Sequence, residues 1–291
     1  MTYRRRASPL HAARAGIGGL WCLALGATAV AYDHPLVLGA LALAVLGAAA
    51  ASDVRREVAR AAALAVPFAL AIALVNALVS RDGVTVLLTS NPLPVIGPLD
   101  ITLEALVYGG VLGLRALVLV LAAGALLAAT VDPDELLRGL RRLSVRTGVT
   151  AALAIRLVPV LGRDAHRLAD ARRALTSRPP TGAERVALLR AVTAGALDRA
   201  TDVAATLEVR GFAGGRRPAA LPRPWSRHDS AFLASTLGLC LLALAAAIGD
   251  WAPFATTPRI AAGSLAGPLV LGAALLACAL APFLDRRGIE S

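Results

Sequence analysis

Arginines near the ends of two charged helices are the side chains best suited to chemistry in this chain. Arg172 and Arg173 lie near the end of the first helix, predicted over Asp134–Thr176, and Arg210 ends the second, predicted over Glu184–Arg210. A guanidinium offers paired N–H donors that match a carboxylate. The spacing therefore indicates two helix ends able to bind acidic groups on partner proteins.

The second of these ends also has a purely structural interpretation. Glycine in the left-handed conformation commonly ends a helix, and a cation there stabilises the negative end of the helix dipole. Val209-Arg210-Gly211 fits that ending. Spacing alone therefore leaves both interpretations open.

Local signals predict where these helices begin and how they run. Asp132-Pro133-Asp134-Glu135 is typical of a helix start, and Thr181-Gly182-Ala183-Glu184 is a capping-box pattern. Pro159 removes one backbone hydrogen bond, so we expect a kink between Arg156 and Arg163. The second helix has an apolar stripe, which we assign to Val186, Leu189, Thr193, Ala196 or Leu197, Ala200, Val203 and Leu207.

Blocks of nearly uninterrupted apolar sequence flank the two charged helices. A membrane-spanning helix needs about 20 mostly apolar residues. Six segments are predicted to span: Ala15–Tyr32, Pro35–Ala51, Ala61–Val79, Leu103–Val131, Ser230–Gly249 and Ala261–Leu284. We therefore predict an all-α integral membrane protein in which residues 1–131 and 230–291 form the membrane domain and residues 132–229 the water-facing helices.

The distribution of arginine predicts the orientation in the membrane. Eighteen arginines lie between Asp132 and Asp229, and those near both termini fall on the same predicted side. The other side carries only Arg81 and Arg259. By the positive-inside rule, both termini are predicted to be cytoplasmic in a multi-pass protein of the bacterial plasma membrane. The outer segment Ser80–Ile101 is rich in proline, which favours a short extended excursion.

Arg115 falls near the middle of the fourth predicted span. A charge within a membrane helix is a candidate functional site. The favoured alternative is a structural role, in which Arg115 pairs with Glu104 or extends its side chain between helices.

Composition excludes several other functions. The net charge is +11, but arginine is placed as membrane topology requires, which argues against nucleic-acid binding. Cys22, Cys240 and Cys278 each lie in an apolar run without metal-ligand spacing. We therefore predict no metal site and no cofactor. Arg4–Arg6 precede the first apolar run as in a signal peptide, but no cleavage pattern follows and we expect that helix to be retained.

Several motifs, in matching order, resemble the transmembrane (T) component of energy-coupling factor transporters, the cobalt-transport permease family. They are Asn76–Leu88, Ile101–Glu104 with Tyr108-Gly109, Gly113-Leu114-Arg115, Val131–Leu136, Arg156-Leu157-Val158-Pro159 and Glu208–Phe212. The resemblance covers most of the chain.

That resemblance implies a membrane scaffold with a cytoplasmic coupling domain. Two helix ends with an Ala-Arg-Gly signature would enter grooves of two ABC ATPase subunits, and a small membrane protein (the S component) would capture a vitamin or transition-metal ion. The second signature corresponds to Val209-Arg210-Gly211. The first corresponds to Ala174-Leu175-Thr176, where arginine and glycine are missing. Arg172, Arg173 or Arg178 are candidates to substitute at that end.

Two other classes stay open. One is a membrane enzyme acting on a lipid-linked substrate, although the four histidines are scattered among different segments. The other is a stand-alone carrier, which the scarcity of polar residues in the spans disfavours. The chain lacks the G-x-x-x-x-G-K-[ST] pattern, so we predict a non-catalytic subunit whose ATP is hydrolysed by partner chains.

Overall fold

The computed structural model is almost entirely helical in the parts of the chain it describes. These parts are residues 6–80, 84–89, 100–132, 135, 145–175, 178, 181–211, 224–255 and 261–285. The predicted start of the first charged helix, with Leu136, Leu137, Leu140 and Leu143 as its apolar face, lies mostly outside them. The chain divides into two compact units, a first of Met1–Leu136 with Trp225–Ser291 and a second of Leu137–Pro224.

The first unit contains seven of the helices and both strand pairs. Its helices are α1 (Pro9–Ala12), α2 (Ala15–Ala31), α3 (Pro35–Ala51), α4 (Arg55–Val79), α5 (Leu103–Thr130), α8 (Arg227–Ile248) and α9 (Ala266–Leu280). Its strands are β1 (Val86–Thr89) with β2 (Asp100–Thr102), and β3 (Phe254–Ala255) with β4 (Ala261–Ala262), each pair antiparallel. The second unit contains α6 (Val145–Leu175) and α7 (Gly182–Val209).

Apolar helices confirm the all-α membrane fold predicted from the sequence. Among the described residues, four helices are long and apolar enough to cross a membrane: α4, α5, α8 and α9 with its following 3-10 turn. The first two predicted spans are helices of 17 residues each, about 25 Å long at 1.5 Å per residue, at the lower limit for spanning. Helix α5 includes a π-helical stretch, Val120–Leu126.

Helices α2 and α3 are joined by only three residues, Tyr32–His34, but they pack mainly on other helices, α2 on α8 and α3 on α9. Pro35 occupies the first turn of α3, and the His34 side chain accepts a hydrogen bond from the Leu36 N–H at 3.3 Å. Proline at this position loses no helical hydrogen bond, because the first N–H groups have no partner within the helix. The two short helices therefore follow each other with almost no loop.

An aromatic cluster forms the centre of the first unit. Trp21 packs edge-to-face on Phe232 and Phe283, with ring centroids 5.5 and 5.6 Å away. The indole N–H of Trp21 donates to Ser235 Oγ at 3.0 Å, and that hydroxyl donates to the Cys278 carbonyl at 2.7 Å. These contacts join α2, α8 and α9 and satisfy the buried polar groups among them.

Helices α4 and α5 approach at backbone distance because α5 carries glycines at the contact. A Cβ built at Gly109 would lie 2.6 Å from the Ala73 carbonyl oxygen, and one at Gly113 would lie 2.6 Å from that of Ala69. Small residues four apart are a common device for close helix packing in membranes.

Candidate partner-docking surface

The second unit is an antiparallel helix pair joined by ion pairs. Arg199 of α7 donates to Asp164 of α6 at 2.8 Å. Nearer the connection, Arg172 and Arg178 both contact Glu184, which lies in the first turn of α7. The later position on α6, Arg172, pairs with the earlier position on α7, Glu184, and the earlier Asp164 pairs with the later Arg199. The two helices are therefore antiparallel.

The half-buried face of α7 differs from the predicted stripe. The residues partly removed from solvent are Glu184, Leu188, Val192, Ala196, Arg199, Val203 and Leu207. Ala196, Val203 and Leu207 were predicted correctly, but Val186, Leu189 and Leu197 are exposed. The prediction was wrong there because α7 has apolar residues on two faces. The predicted stripe begins on the exposed face, at Val186, and ends on the half-buried face, at Leu207, although its spacing fits a helical period throughout.

Val186, Leu189 and Leu197, with the exposed Ala200, form a second apolar face, which we call the outer stripe. An amphipathic helix that buries its apolar residues within its own chain would not leave these side chains exposed. Thr193 lies between Leu189 and Leu197 on this side of the helix, and several exposed apolar side chains on one side mark a binding site more often than a single exposed leucine does. The outer stripe is thus a candidate partner surface. The sequence pattern alone did not distinguish it from the half-buried face of α7.

The end of α7 carries both features that its sequence suggests, a structural glycine and an exposed arginine. Gly211 has φ +68°, and its N–H donates to the Glu208 carbonyl at 2.8 Å, which is an ordinary glycine-assisted helix ending. Val209 is 90% exposed, and Arg210 has no side-chain hydrogen bond or ion pair within the described part of the chain. Gly211 therefore has its ordinary structural role in ending the helix, and the guanidinium of Arg210 is still available to a partner.

The end of α6 is different, because its arginines are already paired. Arg172 contacts Glu184, and Arg173 donates to Asp170 at 2.9 Å. Ala174 is exposed and Leu175 is 85% exposed. Arg172 thus joins the two helices and is a poor candidate to replace the missing signature arginine; Arg173 stays a candidate only by giving up an exposed ion pair, which contributes little.

Glu184 connects the end of α6 to the start of α7, whereas its sequence pattern predicts only a capping role. The Thr181 N–H donates to its carboxylate at 3.0 Å, while the Thr181 hydroxyl accepts from the Glu184 N–H. That backbone hydrogen bond, followed by the contacts with Arg172 and Arg178, holds the pKa of Glu184 below its ordinary value of 4.5.

Acid is expected to loosen the connection between α6 and α7. Because the folded-state pKa of Glu184 is lowered, its stabilising contribution is present above about pH 4.5 and is lost as pH falls through the lowered value. Spin labels at the exposed positions Ala171 and Ala187, with the native cysteines replaced, should give a narrow distance distribution at neutral pH. That distribution should broaden in acid. In the Glu184→Gln protein the distribution should not change with pH; a wild-type distribution equally narrow in acid would contradict the assignment.

The predicted hinge lies in a helix that continues through it. Pro159 is inside α6 and exposed, next to Val158, which is also exposed. The side chain of Arg156 lies outside the described residues. A kink at Pro159 stays a prediction, supported by the backbone hydrogen bond that proline removes.

The predicted pairing of Arg115 with Glu104 is wrong. Arg115 contacts the Asp33 carboxylate and donates to the Tyr32 carbonyl at 3.1 Å. Glu104 instead accepts the Thr85 N–H at 3.2 Å. Both residues lie on α5, eleven residues apart, and the rise of a helix separates them by about 16 Å. Arg115 therefore links α5 to the connection between α2 and α3.

Removing one side of this ion pair should destabilise the first unit more than removing both. Arg115 is about 18 Å from the start of α5, within the thickness of a bilayer. Asp33→Asn leaves its guanidinium there without a carboxylate. We expect a lower unfolding temperature in detergent for Asp33→Asn, and substantial recovery when Arg115→Met is added. Additive losses in the double variant would show that the two side chains are not coupled.

The long apolar helices of the first unit define the chain as a multi-pass membrane protein. Among the described residues, no group of three or more histidine, cysteine, aspartate or glutamate side chains is placed to hold a metal ion. The chain belongs to the CbiQ family of cobalt transport proteins, whose model matches residues 6–220. This confirms the resemblance noted in the sequence and assigns the chain to a transport family. A comparison with curated proteins gave no match.

Proposed function

We propose that this chain is the coupling subunit of an ATP-driven energy-coupling factor importer. It would transmit the closure of ABC ATPase subunits to a separate small membrane protein that captures the cargo. Family membership favours a transition-metal ion of the cobalt type as that cargo, with a vitamin as the alternative.

The observation that carries this proposal is the unpaired surface of the α6–α7 helices. Val209 and Leu175 expose apolar side chains at the two helix ends, and the outer stripe exposes more along α7. Arg210 adds a guanidinium without an internal partner among the described residues. Burying an apolar surface and pairing an exposed arginine both favour association with another protein.

The proposed orientation places these helices on the cytoplasmic side of a bacterial plasma membrane, where ATP is available. It rests on the arginine distribution, with 18 arginines between Asp132 and Asp229. A cysteine introduced at Ala187 should react with a membrane-impermeant maleimide in inverted vesicles and stay unlabelled in intact cells. The reverse labelling pattern would overturn the orientation.

Co-purification tests the proposed assembly directly. The tagged chain, extracted in mild detergent from its native membrane, should bring down ABC ATPase domains and a small integral membrane protein in fixed ratio. Recovery of the chain alone, in a form that still shows cooperative unfolding, would count against a coupling role. A variant carrying Leu189→Asp and Leu197→Asp in the outer stripe should recover less of at least one partner.

A further inference from the structure

Three exposed arginines lie near the start of α4. Arg55, Arg56 and Arg60 have no hydrogen bond or ion pair among the described residues. Glu57, the acidic residue among them, is only partly exposed and contacts Arg6 instead. Cations in the first turn of a helix oppose its dipole, so Arg55 and Arg56 do not stabilise α4 itself. These guanidinium groups are therefore available to an anion from outside the chain.

Two of these arginines share one side of α4 with apolar residues. A helix of 3.6 residues per turn brings back to one side the positions that follow Arg56 by 4, 7, 11, 14 and 18 residues. These positions are all exposed, and we call them, with Arg56, the α4 stripe: Arg60, Ala63, Pro67, Leu70 and Leu74. Arg55 lies about 100° around the helix from Arg56. The stripe thus has a cationic end followed by an apolar length.

The cationic end of the stripe lies at the level where the membrane meets water. Arg6 contacts Glu57, near the start of α4. Eight residues later, the Arg14 N–H donates to the Asp229 carboxylate at 2.7 Å, near the start of α8. The two helices therefore begin at the same end of the first unit. Trp225, just before α8, is exposed there with the Arg14 guanidinium 4.9 Å from its ring centroid, and tryptophan is enriched at the membrane–water interface.

We propose that the α4 stripe binds an anionic phospholipid, with the lipid phosphate between Arg56 and Arg60 and an acyl chain along Ala63, Pro67 and Leu70. Guanidinium groups form strong, charge-assisted hydrogen bonds with phosphate. Two arginines without carboxylate partners favour a headgroup of net negative charge over a zwitterionic one, whose own cation they repel. A phospholipid also carries its phosphate directly above its hydrocarbon chain, which matches the order of groups along the stripe.

Lipid-dependent thermal stability of the purified full chain tests the site. The chain is delipidated in a neutral detergent, and its unfolding is titrated with phosphatidylglycerol or with phosphatidylcholine. Each basic residue near an anionic membrane surface contributes roughly five-fold to binding. We therefore expect Arg56→Gln and Arg60→Gln each to reduce the preference for phosphatidylglycerol roughly five-fold, and the double variant roughly 25-fold.

Arg55→Gln is the matched control, because it removes the same charge from the same end of α4 but outside the stripe. We expect this variant to keep most of the preference for phosphatidylglycerol. Equal losses in the Arg55→Gln and Arg56→Gln chains would show a general attraction of a basic surface for anionic lipid and would overturn the proposed site. The same preference for both lipids in the unaltered chain would overturn it as well.

Photo-crosslinking in the native membrane identifies the occupant. A photoreactive phenylalanine analogue is placed at Leu70, and in a second preparation at Leu241, which is equally exposed at a similar distance from the start of α8. Lipid adducts at Leu70 should be enriched in anionic phospholipid relative to those at Leu241, and the enrichment should disappear in the Arg56→Gln, Arg60→Gln double variant. Adducts of the same lipid composition at both positions, or an adduct of Leu70 with another protein chain, would contradict a bound anionic lipid.

Discussion

The Arg210→Glu protein is expected to reach the membrane in normal amount and to lose coupling to its ATPases. Reversing the charge places a carboxylate where we propose that the guanidinium of Arg210 pairs with an acidic group of an ATPase subunit. Truncating one partner of a charged interface pair costs roughly 2–5 kcal/mol, and like charges add to that loss. Because 1.4 kcal/mol is tenfold in affinity, we expect binding weakened on the order of 100-fold or more.

The measurement is ATPase retention on the immobilised chain, together with ATP-driven uptake in cells. Arg190→Glu is the matched control, since Arg190 is also exposed on α7 and has no ion pair among the described residues, but lies far from the helix end. Normal ATPase stoichiometry and normal uptake in Arg210→Glu would remove the basis for assigning a role to this residue.

Gly113→Leu should disrupt the first unit, although it adds only apolar atoms. The Cβ would lie 2.6 Å from the Ala69 carbonyl oxygen, and the contact is with backbone, which cannot rotate away. Overpacking a tight contact costs about 1–3 kcal/mol, and we expect the upper part of that range because α4 and α5 must separate.

Thermal unfolding in detergent, followed by size-exclusion chromatography, measures this effect. Gly110→Leu is the control, because a Cβ at Gly110 meets no atom within 4 Å. We expect Gly113→Leu to unfold at clearly lower temperature and to elute as aggregate, with Gly110→Leu close to the unaltered chain. Equal behaviour of the two variants would show that α4 and α5 do not pack as described.

The elements that could be predicted are those set by local signals. Apolar runs located the membrane helices, and the capping pattern at Thr181 and Glu184 located the start of α7, where both reciprocal hydrogen bonds are present. The apolar segment predicted as Pro35–Ala51 likewise matches the bounds of α3. Each of these features depends on residues within one or two helical turns of each other.

Predictions that depend on distant residues failed in identifiable ways. The partner of Arg115 is Asp33, 82 positions away, and only the packing of α2 and α3 against α5 brings the two residues together. Glu184 contacts Arg172 as well as its own cap, which turns an expected docking arginine into a link between helices. The face of α7 that meets α6 could not be chosen from its own sequence, because that sequence is apolar on two sides.

Reconstitution tests the central claim most directly. The purified chain, its co-purifying ATPases and the small membrane protein are placed together in liposomes with Co²⁺ outside and ATP supplied to the ATPase side. We expect Co²⁺ to accumulate only when all components and hydrolysable ATP are present, and omission of this chain to abolish uptake without abolishing Co²⁺ binding by the small membrane protein. Accumulation by this chain alone, without any ATPase, would identify a stand-alone carrier and contradict the coupling role.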